Sequence, residues 1–252
     1  MNEPTAIAAR LPLPQALAGQ SVLIIGGSSG IGFAAAQLLV EIGAHVTLAA
    51  REGDRLASAA THLNRQVQTV QADVGDLATL QALFAKPAQY DHVFVTAGAL
   101  AGGPIGSTDV ATLRSTIDSH IWGTYEVARL AAPQLQAGGS MTFISNSFVY
   151  RPLQGVAVGA AAMAGVEGLV RALALELAPL RVNVVRAANI DTPMLRAFYG
   201  GANDAQVATI GSGLLLGRVG RAEEAASAAL FCMSNPYVTG SVVVVDGGTS
   251  LV

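Results

Sequence analysis

The stretch SVLIIGGSSGIGFAAAQLLVEIG, residues 21–43, decides how the rest of the chain is read. SVLIIG is a short apolar run that fits a buried strand. From Gly30 the apolar positions recur at helical spacing until Gly43 stops them. Between strand and helix, Gly26, Gly30 and Gly32 give the spacing G-x-x-x-G-x-G. The first glycine permits a tight turn, the second lets backbone approach a phosphate group, and the third lets the helix pack closely on the strand. Glycine makes up 28 of the 252 residues, so the triplet takes its meaning from its position and not from its count. A helix opening on such a loop turns free N–H groups and its positive dipole end towards an anion.

Outward from this unit the alternation continues. HVTLAA (45–50) reads as a strand, DRLASAATHLN as a helix, and QTVQADV and HVFVTAG as strands flanking a helix around LATLQALFA. Two long helical patterns follow, TLRSTIDSHIWGTYEVARLAAPQLQ and VGAAAMAGVEGLVRALALEL, with strands at SMTFISNS, RVNVVRAAN and SVVVVDGG. This order predicts right-handed β-α-β units and an α/β, single-domain, doubly wound parallel sheet of Rossmann type. Residues 1–18, with Glu3 and three prolines, read as a loosely ordered lead-in unlike a signal peptide, and 19–252 as the domain. The segment 192–216, with YGGAND and GSG, reads as a mobile excursion able to cover a pocket.

The chain is 52% hydrophobic and 12% charged, which excludes a disordered polymer and leaves apolar surface for subunit contacts. A net charge of −3 gives no electrostatic case for nucleic acid or an anionic membrane. One cysteine, Cys232, excludes an internal disulfide, and His45, His62, His92 and His120 show no ligand spacing, so no metal is expected. No uninterrupted apolar run reaches the roughly 20 residues of a membrane span, and the chain is expected to be cytoplasmic.

The second strand ends TLAAR, with Ala50 at its tip and Arg51 after it. An acidic residue there would bind a ribose 2′-hydroxyl, whereas a guanidinium pairs with a 2′-phosphate. With the hydroxyls of Ser28 and Ser29, this points to NADP(H) over NAD(H). The alternative is an Arg51 that is simply solvated at a helix start.

Together these segments resemble the short-chain dehydrogenase/reductase family from about Gly19 to the C-terminus. The resemblance rests on GGSSGIG, ADV (72–74), TAG (96–98), RVNVV (181–185), DTPM (191–194), GRVGRAEE (217–224) and YVTGSVVVVDGG (237–248). It implies a Rossmann-type domain of about seven strands that assembles as a homodimer or homotetramer through its two long helices. It also implies that the loop residues Gly26, Ser28, Ser29, Gly30, Ile31 and Gly32 bind cofactor. Asp73 and Val74 would flank the adenine, Ala97 and Gly98 would line the ribose, and Ile190 and Thr192 would touch the nicotinamide carboxamide. Three departures appear: Ile25 replaces a threonine, Val95-Thr96 replace two asparagines, and Ala187-Ala188 replace Pro-Gly.

The family's catalytic set departs further. It has a Tyr and a Lys four apart on the long helix, a Ser thirteen residues before the Tyr, and an Asn on the preceding helix. In the register set by VEGLVRALALELAP and RVN, these fall on Gly159, Met163, Asn146 and His120. A slip of one brings Ser147 to the serine position. No slip restores the lysine, because Lys86 is the only one in the chain. The enoyl-reductase spacing fails for the same reason, and the halohydrin dehalogenases lose the glycine loop that this chain keeps. Remaining candidates for the chemistry are His120, Asn146, Ser147 and Tyr150, with Arg151 as an anchor for a carboxylate. The competing readings, which the residues favour, are a buried structural imidazole for His120 and a plain loop residue for Tyr150.

A general acid typically contributes about 10²–10⁴-fold, so its loss is tolerable where the substrate needs no proton from the enzyme. Three functions stay open: an oxidoreductase acting on a small apolar substrate such as an imine, conjugated alkene or carbonyl; a non-catalytic cofactor-binding sensor or partner subunit; and a redox-neutral lyase or isomerase.

Overall fold

The computed structural model describes residues 14–85 and 89–251, so most of the lead-in, and Lys86, lie outside the described residues. Of the lead-in, Leu17 is buried in the core beside the first helix. Strand β1 (Ser21–Ile25) is buried from Val22 to Ile25 and runs through the glycine loop into helix α1 (Gly30–Ile42). Gly43 ends the helix at φ 90°, where its N–H closes on the Leu39 and Val40 carbonyls.

Strand β2 (His45–Ala50), helix α2 (Gly53–His62), strand β3 (Val67–Gln71), helix α3 (Leu77–Ala85) and strand β4 (Tyr90–Val95) follow as the periodicity predicts. The first long helical pattern divides into α4 (Val110–Ile117) and α5 (Gly123–Ala131), joined by a π-helical turn at Asp118–Trp122. Strand β5 (Leu135–Asn146), helix α6 (Ala157–Glu176) and strand β6 (Arg181–Ala187) come next. Helices α7 (Pro193–Phe198), α8 (Asp204–Ser212) and α9 (Ala222–Ser234) then lead to strand β7 (Val242–Val245).

The strands form one parallel sheet in the order β3-β2-β1-β4-β5-β6-β7. The order reverses between β1 and β4, which opens a crevice at the carboxyl ends of the strands, where doubly wound sheets bind ligands. Helices α1, α2 and α9 bury their apolar sides on one face, and α3, α5 and α6 on the other. Helix α9 was not singled out by periodicity: its buried positions are mostly alanines, which give little contrast in a sequence but let it pack closely on α1.

Helix α6 is long and apolar enough to cross a bilayer by length and composition, although no uninterrupted run suggested it. It packs on β5 and β6 instead, and its Glu167 accepts two hydrogen bonds from Arg186 of β6, at 2.7 and 2.6 Å. A core helix half-covered by a sheet needs the same composition as a span. The segment 192–216, read from the sequence as a mobile excursion able to cover a pocket, contains α7 and α8. Arg196 binds both oxygens of Asp191 (2.8 and 2.9 Å) and reaches Asp204 (2.9 Å), while Asn203 and Gln206 form a capping box on α8.

Candidate active site

The crevice holds a cavity of about 440 Å³. Of the residues expected at a cofactor, Gly26, Ser28, Ser29, Gly30, Ile31, Arg51, Asp73, Val74, Ala97, Gly98 and Thr192 line it. Each sits where the chain leaves a strand or enters a helix at the carboxyl edge of the sheet. The loop is shaped for an anion. Gly26 and Gly30 take φ of 97° and 53°, and Ser29 makes no side-chain bond to cap α1, so the first-turn N–H groups lack an intramolecular cap. Gly32 does not line the cavity. It lies beneath, where an added Cβ would strike the Gly26 carbonyl and sit 2.6 Å from Thr96 Oγ1. Thr96, one of the departures from the family pattern, donates to the Gly26 carbonyl at 3.1 Å and ties the ends of β1 and β4 together.

At the far end, Arg51 is joined by Arg55, which sequence reasoning missed. The signal was its spacing four residues on, at the start of α2. Glu52 sits between them, 3.7 Å from Arg51 Nη2 and 3.0 Å from Arg55 Nε, so both guanidiniums have an exposed carboxylate neighbour.

A second cavity, about 330 Å³, shares Ile31, Thr96, Ile144, Thr192 and Met194 with the first. Ile190 lies here and not in the first cavity. His120, Asn146, Ser147, Arg151 and Met163 also line it. Two expected positions do not. Gly159 is covered, because Leu100 Cδ1 lies 3.0 Å from where a Cβ would stand, and Leu100 takes that part of the wall. Tyr150 points away: its ring is stacked over the Arg186 guanidinium at 4.2 Å, and Arg186 is held in turn by Glu167. Glu167 raises the Arg186 pKa, chiefly through the hydrogen-bonded pair. Tyr150 therefore serves as a lid on a buried ion pair.

His120 occupies the π-helical turn with its ring against Gly98. Burial lowers its pKa to about 4, with a backbone bond to Ala99 acting weakly the other way, and its Nε2 is buried without a partner. The ring is neutral at neutral pH and is no imidazolium acid there. Asn146 Oδ1 accepts from Phe148 N (3.2 Å) and Ser147 Oγ (3.3 Å), so its carbonyl is already engaged. Sequence reasoning missed Phe148, Phe198, Tyr199, Asn189 and Thr249, which also line this cavity. They lie at or beyond the ends of the segments that periodicity marks, where nothing local signals a meeting point. Asn189, at φ 49°, donates to Thr249 Oγ1 (3.0 Å) and draws the C-terminal segment onto the cavity.

Residues 26–250 match the family model described as enoyl-(acyl carrier protein) reductase. The chain is 31% identical over 253 residues to the short-chain dehydrogenase/reductase malC of Malbranchea aurantiaca, covering 93% of this chain and 96% of that protein. Among solved structures, the MalC reductase/Diels-Alderase from Malbranchea aurantiaca superposes with a TM-score of 0.84 at 30% identity, covering 94% and 98% of the two chains. A small-chain dehydrogenase in complex with NADPH superposes with a TM-score of 0.79 at 31% identity, covering 92% and 99%. With a phosphate-type glycine loop at the sheet's switch point and likeness along nearly its whole length, this chain belongs to the short-chain dehydrogenase/reductase family.

Proposed function

We propose that this protein is an NADP(H)-dependent reductase of small, largely apolar electrophiles that need no proton from the protein: preformed iminium ions, which hydride converts directly to a neutral amine, and conjugated alkenes that take their proton from water, ahead of plain carbonyls. The observation that carries the reading is the pair of joined cavities. One is lined by the glycine loop and by Arg51 and Arg55; the other is mainly apolar, with no lysine or carboxylate among its described lining residues. Bound in the first cavity, the dinucleotide supplies a hydride. Arg51, Arg55 and the two loop serines hold its phosphates, and the N-terminus of α1 favours their charge. Met163, Leu100, Ile144 and Leu195 give the second cavity an apolar wall. Ser147 and the Asn146 amide can orient a substrate heteroatom but are poor acids, so an alkoxide would be stabilised weakly. Gly159 and Met163 at the family's Tyr and Lys positions fit this reading, as does the pairing of a reductase with a second, non-redox reaction in the name of the relative MalC.

Trp122 and Tyr125 beside α5 and Leu175 on α6 are exposed, which supports assembly as a homodimer or homotetramer through these helices.

Calorimetric titration with NADPH and NADH tests the cofactor. NADPH is expected to bind about tenfold or more tightly, with most of that preference lost in Arg51→Ala, since a charge-assisted phosphate contact is worth that much. Equal affinities, unchanged by the substitution, would overturn the assignment. NADPH oxidation is then followed with a cyclic iminium, an enone and a ketone. Tight NADPH binding without turnover of any would favour the second reading, a non-catalytic cofactor-binding subunit, which the covered Gly159 position also suits.

A further inference from the structure

Three aromatic side chains from two separate segments meet on the second cavity. Phe148, in the turn after β5, is buried, and its ring centroid lies 5.8 Å from that of Phe198 at a 38° tilt. Phe198 meets Tyr199 edge to face, 5.2 Å apart and at 88°. Phe198 and Tyr199 remain 36% and 38% exposed, so each keeps ring surface that no protein group covers. The offset and T-shaped arrangements that aromatic rings prefer are available to a further ring and unavailable to a saturated one.

His120 lies on the same cavity with Nε2 buried and unpartnered. A neutral imidazole has one bare acceptor nitrogen, and Nε2 is the nitrogen that the protein leaves buried without a partner. A buried acceptor with no donor is costly until a ligand supplies one.

We propose that the second cavity selects substrates built on a planar aromatic ring, stacked against Phe198 and Tyr199, that carry an N–H or O–H group donating to Nε2 of His120. This rests on reading the cavity as the substrate side of the reductase and narrows its substrate class. The ring supplies recognition, and the donor fixes which way round the substrate lies.

Binding tests it without requiring turnover. The full-length protein, with and without saturating NADPH, is titrated with three probes: 2-naphthol, its saturated analogue decahydro-2-naphthol, and 2-methoxynaphthalene, which lacks the donor. Affinities are compared after allowing for each probe's octanol–water partitioning. We expect 2-naphthol to bind roughly fivefold tighter than the saturated alcohol, a preference that Phe198→Leu removes. The methyl ether should bind roughly tenfold more weakly than 2-naphthol, a difference that His120→Phe removes. The saturated alcohol matching 2-naphthol, the ether matching 2-naphthol, or no binding of 2-naphthol at millimolar concentration each overturns the proposal. The wild-type probe series decides even where a variant fails to fold. The expected pattern in a protein that neither binds NADPH nor consumes it would reject the reductase reading and leave the aromatic-donor cavity standing.

Discussion

At Gly32 the difference between a hydrogen and a methyl group decides whether helix and strand can meet. A Cβ there would run into the Gly26 carbonyl, and Gly26 is itself wedged against the Ala97 backbone. Backbone cannot rotate aside as a long side chain can. Gly32→Ala is therefore expected to destabilise the protein by about 1–3 kcal/mol, lowering Tm by roughly 2–4 °C for each kcal/mol in a chain of this size. Calorimetric melting checks the first figure, and an NADPH titration should show weakened binding because the loop must move. An unchanged melt would mean that helix α1 is free to slide along β1.

At the scale of elements, the cover over the two cavities depends on one arginine. Arg196 grips Asp191 at the end of the β6 loop and Asp204 at the start of α8, and the same pair with Asp191 holds that carboxyl below its ordinary range. Thr192, Pro193, Met194 and Ala197 line the first cavity, and Met194, Leu195, Phe198 and Tyr199 the second, so α7 and its flanks cover both. Arg196→Met keeps the aliphatic stem and removes the clamp. The expected result is faster amide exchange across α7 and α8, a raised KM, and only a small change in the melt, because the ion pairs lie at the surface, partly open to solvent. Since Asp191's folded pKa is depressed, the clamp's contribution persists across neutral pH and disappears only as pH falls through that depressed value. A KM equal to wild type would show that α7 is held by packing alone.

For the whole molecule, two imidazoles, one buried and one half-buried, contribute to the acid limit. His92 on β4 bonds Ser140 Oγ (2.8 Å) and Gln20 Oε1 (2.7 Å), and burial, reinforced by Arg181, lowers its pKa to about 4. His120 is lowered to about 4 by burial as well. Both folded values lie below the unfolded one, so the unfolded chain takes up protons first as pH drops. Stability is full above about pH 6.5 and is withdrawn as pH falls towards about 4, on the order of 3 kcal/mol for each ring. Urea midpoints measured from pH 7 to 4 should fall over that window, and His92→Gln should remove roughly one proton's share of the slope. Midpoints flat between pH 7 and 5 would mean that the rings titrate normally. Cys232, by contrast, takes no part near neutrality, since burial pushes its thiol up to about 12.

Order and type of the sheet elements were legible in the chain because they rest on local chemistry. An apolar run between glycines is a strand whatever surrounds it, and Gly26, Gly30 and Gly32 have a backbone meaning that is independent of partners. That residues at the strand ends would share one crevice was legible for the same reason: a parallel sheet brings every carboxyl edge to one side, so Arg51, Asp73, Gly98 and Thr192 line one cavity as soon as the topology is known. What lay beyond local reading was anything settled by contact between distant segments. Helix α9 hid in alanines, α7 and α8 in a glycine-rich stretch, and Tyr150 turned to Arg186 because a buried guanidinium needed a cover. The meeting of Phe148 with Phe198 and Tyr199, and the bare nitrogen of His120, exist only once β5, α7 and the π-turn have packed. Local spacing determines which backbone forms; side-chain environment is a property of the packed whole, and the tertiary structure alone decides it.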